Sequence, residues 1–200
     1  MLQLVLYLLV SFLASVAGAI CGIGGGVIIK PVLDVCAFDS VSTISFLSGL
    51  TVLSMSLYSV VRNTVSGGSQ IDVKTGTPLA IGAAAGGVVG KQLFSVIKGL
   101  FADSNTVGAV QAACLAVVTL GTLLYTIFKD RISPRRVEGT GGCLCIGFVL
   151  GIMSSFLGIG GGPINLVVLF FFFGMDTKTA AQNSLYIILF SQIASLATTL

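Results

Sequence analysis

The pentapeptide GIGGG occurs twice in this sequence, at residues 22–26 and again at 158–162. Consecutive glycines weaken a helix and leave backbone amides uncovered, and hydrocarbon tolerates such backbone only against protein or a water-filled cavity. A short apolar segment follows each motif, so a helix starting there would direct its free N–H groups and positive dipole end at the motif. We therefore expect the two motifs to bind a small anion through backbone amides.

Polar side chains near the motifs extend this candidate site. Asparagine and serine can donate hydrogen bonds to the oxygens of an oxyanion. Two alternatives to anion binding stay open. The glycines could instead allow close helix packing, and the polar side chains could form hydrogen bonds between helices. The predicted substrate-binding residues are Gly24, Gly25, Gly26, Gly160, Gly161, Gly162, Asn165, Asn183, Ser184 and Ser45.

Two charged residues lie in the short segment after the first motif. Lys30 and Asp34 are four residues apart, so they can share one helix face and either pair with each other or contact a substrate and a proton. Leu166 and Phe170 stand at the matching positions of the second repeat, so any coupling role is asymmetric. Snorkelling of both groups to a membrane interface is the alternative.

Other chemistries lack candidate residues in this sequence. There is no histidine, and the five cysteines do not have the spacing of a zinc site or a disulfide framework. A GxGxxG nucleotide motif would need glycine where Val27 and Pro163 stand. We expect no enzyme activity, no metal, no cofactor and, despite the net charge of +3, no nucleic-acid partner.

The elements that position the motifs are predicted to be membrane helices. Only 8% of the 200 residues are charged, against roughly 25% in ordinary soluble domains. A spanning helix needs about 20 apolar residues. We predict an all-α polytopic bundle with about six spanning helices. The first run lacks the positive n-region of a signal peptide. The runs lie at residues 1–29, 40–61, 75–97, 104–128, 139–175 and 179–200, with Lys91 the one charge in the third.

The run at 139–175 is too long for one span and too short for two with a turn. We predict a helix ending near Leu157, a glycine break and a half-helix over 163–173, with the same plan around the first motif and a short segment over 27–38. If the short segments are re-entrant, the amino terminus lies inside and both halves run in the same direction, as a parallel repeat. Whether they are re-entrant or spanning stays open.

The repeat divides the chain into three parts. Residues 1–128 form the first repeat, 129–138 a basic loop that we expect to be cytoplasmic, and 139–200 an incomplete second repeat. Counterparts of the helices at 75–97 and 104–128 are missing after the second motif, so we expect a truncated chain. The predicted location is the plasma (inner) membrane, with several spans.

GIGGGVIIKPVL at residues 22–33 and GIGGGPINLVVL at 158–169 resemble the glycine-rich elements of the sulfite exporter TauE/SafE family of membrane transporters. The resemblance implies a secondary transporter of small anions such as sulfite or the sulfonate sulfoacetate, with export as the expected direction. It implies an anionic substrate and the lipid bilayer as partners, and leaves a homo-oligomer open. A passive anion channel and a purely structural membrane protein are the alternatives.

Overall fold

The computed structural model describes residues 2–36, 40–100, 104–137 and 139–198, and every regular element within these ranges is a helix. The ends of the predicted segment 27–38 and of the basic loop 129–138 fall outside the described residues. A 3₁₀ turn, Lys129–Arg131, follows α5. The helices are α1 (Leu2–Cys21), α2 (Gly26–Cys36), α3 (Val41–Val65), α4 (Val73–Leu100), α5 (Ser104–Phe128), α6 (Thr140–Leu157), α7 (Gly162–Phe173) and α8 (Thr177–Ala197).

Helix lengths and composition confirm the prediction of an all-helical, polytopic membrane protein. Within the described residues, four of the six expected spans are long and apolar enough to cross a membrane, one each from α3 to α6. The described apolar part of α1, Val5–Cys21, is slightly shorter. Helix α8 has 21 residues but is less apolar, because it carries a row of polar side chains that face protein. These buried residues are Gln182, Asn183, Ser184, Ser191, Gln192 and Ser195.

Each GIGGG motif forms the tip of a helical hairpin. In the first hairpin, α1 and α2 run antiparallel, and Gly25 packs so closely on the Ala14 carbonyl that a Cβ could not be accommodated. In the second hairpin, α7 returns beside the start of α6. The chain entering α6 is bonded to the end of α7, since the Arg135 amide donates to the Phe171 carbonyl at 2.7 Å. Both short helices are therefore re-entrant.

The two hairpins enter the bundle from opposite sides. Helices α3 and α8 are antiparallel, because Gly49 lies against Leu196 while the Gln70 amide beyond α3 donates to Gln182 Oε1 at 2.6 Å. The first hairpin opens where α3 begins. The second opens at the other end, with the loops 66–72 and 129–137, which we call the basic end.

This arrangement is an inverted repeat, so the expected parallel repeat, with the amino terminus on the side of the basic loop, is wrong. A re-entrant hairpin makes no net crossing of the membrane, and three helices, α3 to α5, separate the two hairpins. An odd number of crossings reverses the second hairpin relative to the first. The start of α1 therefore lies opposite the basic end.

Helices α4 and α6 pack in parallel through facing glycines. A Cβ on Gly82 or Gly86 of α4 would overlap the backbone of α6, and a Cβ on Gly147 or Gly151 of α6 would overlap that of α4. Such small residues let helix backbones approach closely, which is a main source of association between membrane helices. This contact fixes the second hairpin against the body of the bundle.

Candidate functional site

The tips of the two hairpins meet inside the bundle. A Cβ on Gly26 would overlap the backbone of Ile159, and a Cβ on Gly162 would overlap the carbonyl of Ile23. Gly26 begins α2 and Gly162 begins α7. Two helix N-termini, with their free amides and positive dipole ends, therefore converge from opposite sides.

The third residue of each motif occupies an equivalent place. Gly24 has φ +73° and Gly160 has φ +78°, a left-handed conformation that side-chain-bearing residues rarely adopt. Both glycines face the same two buried side chains, Val52 of α3 and Ile188 of α8. The two motifs thus flank the α3–α8 contact symmetrically.

Two predicted serines lie beside the motifs, but each beside the motif of the other half. Ser184 Oγ donates to the Gly22 carbonyl at 2.7 Å. Ser45 Oγ lies 3.0 Å from the point that a Cβ on Gly158 would occupy. The Ser45 hydroxyl is buried and has no hydrogen-bond partner among the described residues. The inverted repeat explains this exchange, because each long helix after a hairpin crosses to the opposite tip.

Asn165 lies one turn into α7 and is 2% exposed. Its Oδ1 lies 3.3 Å from the Cβ position of Gly161, and Ser154 Oγ of α6 lies 2.7 Å from the same point. Neither oxygen has a hydrogen-bond partner in the part of the chain that the structure describes. Ser154 was not predicted from the sequence, because it precedes the motif by one helical turn and lies within a long apolar run. The second tip thus presents polar atoms from both arms of its hairpin.

Comparison with known proteins shows the family of this chain. Residues 7–200 match the family model described as Sulfite exporter TauE/SafE. The chain belongs to this family. It is 24% identical over 214 residues to Probable membrane transporter protein YunE of Bacillus subtilis (strain 168), an alignment covering 96% of this chain and 76% of that relative. No solved structure matches. The chain is therefore a multi-pass membrane protein of a transporter family.

In this TauE/SafE protein, Lys30 joins the two hairpins. Lys30 is 2% exposed, and its ammonium donates to Gln111 Oε1 at 2.5 Å and to the Leu157 carbonyl at 2.9 Å. Gln111 Nε2 donates to the Phe156 carbonyl at 2.5 Å. These carbonyls end α6, where they lack helical partners and carry the negative end of the helix dipole. Lys30 and Gln111 therefore cap α6 beside the second tip.

For Lys30, the structure excludes one of the expected alternatives, which was snorkelling to a membrane interface. The Lys30 ammonium points into the protein rather than snorkelling, and both of its hydrogen bonds go to neutral oxygens. Asp34 Oδ1 is buried without a hydrogen-bond partner among the described residues. Gln111 could not be anticipated from the sequence, since it lies on α5, 81 residues from Lys30.

Asn183 lies away from the two tips, near the basic end of this TauE/SafE protein. Its Oδ1 accepts from the Asp72 amide at 3.1 Å, and its Nδ2 donates to the carbonyls of Gln70 and Thr179. The predicted anion ligand is thus engaged in holding the loop 66–72 against α8. Of the two alternatives for this residue, hydrogen bonding between elements is the one that the structure supports.

Proposed function

We propose that this TauE/SafE protein is a secondary transporter that carries a small oxyanion across the plasma membrane through the junction of its two hairpin tips. The observation that carries the proposal is the meeting of the α2 and α7 N-termini, where Gly26 touches Ile159 and Gly162 touches Ile23. Discontinuous helices in inverted repeats commonly form the binding sites of transporters. Two converging helix N-termini favour an anion over a cation.

Buried polar side chains at the second tip support an oxyanion as the substrate class. The hydroxyls of Ser45 and Ser154 lack hydrogen-bond partners among the described residues, and a buried hydroxyl without a partner destabilises the protein. An anion with several oxygens would accept from both. Asn165 would join them through Nδ2, because a side-chain amide can turn to present either its oxygen or its nitrogen.

Sulfite is the first substrate to test, because the family is described by it. The expected mechanism is alternating access, in which one hairpin moves against the other and the site opens to each side in turn. The Lys30 cap on α6 lies between the hairpins and would be strained or released by that movement.

The test is uptake of radiolabelled sulfite by proteoliposomes containing the full chain. Saturable uptake is expected, with a loss of roughly a hundredfold or more when Ser45→Ala and Ser154→Ala are combined, since each lost hydrogen bond to an anion costs about 1.5–3 kcal/mol. Gly121→Ala is the matched control, because a Cβ there meets open space. Unchanged uptake in the folded double variant would overturn the site, and flux that never saturates would identify a channel instead.

A further inference from the structure

A polar pocket lies at the basic end, away from the hairpin tips. It has a volume of about 310 Å³ and sits between the end of α5, the 3₁₀ turn and the junction of α7 with α8. Tyr125, Lys129, Phe170, Asp176 and Thr177 are among its lining residues. This volume is at the lower end of the range for pockets that hold small ligands.

Lys129 supplies the positive charge of this pocket. Its Nζ lies 3.4 Å from Thr177 Oγ1 and 5.2 Å from the centre of the Phe170 ring. Both contacts are to neutral groups, so they orient the ammonium without cancelling its charge. A hydroxyl, an ammonium and an aromatic wall together suit an anionic group attached to an apolar body.

Among the residues that line the pocket, Asp176 carries the negative charge that opposes an anion. Its Oδ2 is committed to capping α8, where it accepts from the amides of Lys178 and Thr179 at 3.1 and 3.3 Å. The amides of the first turn and the dipole of α8 partly offset its negative charge. Three exposed arginines of the adjacent loop, at positions 131, 135 and 136, add positive potential around the pocket.

The pocket lies where a lipid headgroup would reach it. Beside it, the last two turns of α5 expose apolar side chains that in a membrane would contact acyl chains, and Tyr125 lies among them and lines the pocket. Aromatic residues favour this interfacial depth. Basic pockets between helices on the cytoplasmic side are a known mode of binding acidic lipids. The exposed side chains are Leu120, Leu123, Leu124 and Ile127.

We propose that this pocket binds the phosphate group of an acidic phospholipid, with Lys129 as its cation and Thr177 and Tyr125 as hydrogen-bonding neighbours. A soluble phosphate would offer the same anionic oxygens. The apolar wall and the lipid-facing side of α5 favour the lipid, because a free ion would gain nothing from either. The site is independent of the anion route at the hairpin tips.

The test is native mass spectrometry of the detergent-solubilised full chain with phosphatidylglycerol, phosphatidylcholine or inorganic phosphate. Phosphatidylglycerol should bind more tightly than phosphatidylcholine, and Lys129→Gln should weaken it roughly fivefold, as expected for one lysine near an acidic headgroup. Lys129→Arg should retain it. The control is Lys74→Gln, which removes an exposed charge from the same end but outside the pocket.

Three results would overturn the proposal. Equal binding of the two lipids would show that the pocket does not recognise the anionic headgroup. An equal loss in Lys129→Gln and Lys74→Gln would indicate diffuse charge attraction rather than a pocket. Displacement of phosphatidylglycerol by millimolar inorganic phosphate would make the soluble ion the ligand. Thermal melting of each variant distinguishes lost binding from lost folding, with Lys129→Arg as the folded reference.

Discussion

The hydroxyl of Ser184 donates to the carbonyl of Gly22 at 2.7 Å, joining residues 162 positions apart in the chain. Ser45 takes the reciprocal place beside Gly158, yet its hydroxyl has no partner among the residues that the structure describes. The inverted repeat thus places two serines equivalently and gives them different bonding. One stabilises a hairpin tip, and the other is available to a ligand.

Substitution should separate these two roles. Ser184→Ala leaves the buried Gly22 carbonyl without its donor, so we expect a loss of about 1–3 kcal/mol in the free energy of unfolding. Ser45→Ala breaks no bond in the structure and should leave stability nearly unchanged while lowering sulfite uptake. Unfolding curves in detergent and uptake in proteoliposomes measure the two effects. Equal destabilisation by both variants would contradict the assignment.

The tip contact should tolerate no side chain at Gly162. A Cβ there overlaps the Ile23 carbonyl, so Gly162→Ala must push the tips apart. We expect lower thermal stability and little uptake, since overpacking typically costs about 1–3 kcal/mol. Gly121→Ala makes the same change in open space on α5 and should melt at or slightly above the parent temperature. A stable, active Gly162→Ala protein would argue against close tips.

Lys30→Met should destabilise the protein through the end of α6. It removes the donor to the Leu157 carbonyl and to Gln111, and hydrogen bonds from charged groups contribute about 1.5–3 kcal/mol. Lys74→Met is the control at an exposed position, where we expect a change within about 0.5 kcal/mol. Equilibrium unfolding in mixed micelles measures both. Equal stability of the two variants would show that the α6 cap is dispensable.

The inverted repeat predicts which residues share a side of the membrane. In a background without the five native cysteines, Ser69→Cys and Ser133→Cys should react with an impermeant maleimide from the same side. Thr43→Cys, at the start of α3, should react from the other side. Sealed vesicles of known orientation provide the measurement, and labelling after solubilisation provides the control. Labelling of all three from one side would contradict the fold.

Low pH should destabilise the N-terminal end of α8. Hydrogen bonds from the side chain and backbone of Thr179 hold the pKa of the Asp176 carboxyl below its ordinary value. The cap is therefore fully effective above about pH 4, the ordinary pKa of aspartate, and is lost as pH falls through the lowered pKa of the folded state. Asp176→Ala should melt about 2–4 °C lower at pH 6, with a smaller difference in acid. A pH-independent difference would contradict this, and Asp176→Asn is the untitratable control.

The sequence predicted the breaks in the helices better than their directions. The length of the apolar run at 139–175 required a break, and α6 ends at Leu157 as predicted. Direction depends on contacts between distant residues, such as the Arg135 amide on the Phe171 carbonyl, and no local pattern encodes them. Ser45 and Ser184 were both predicted beside the motifs, but only the fold shows that each lies at the tip of the other half.

The meeting of the tips also bears on how the chain is made. Gly26 and Ile159 touch, yet three spanning helices are synthesised between them. At roughly 5–20 residues per second, the first hairpin spends on the order of ten seconds in the translocon or bilayer before its counterpart exists. A nascent chain released after α5 is expected to be degraded faster than the full chain in a pulse–chase experiment. Biogenesis thus has an obligatory order, in which the earlier hairpin is completed only after α6 and α7 have emerged from the ribosome.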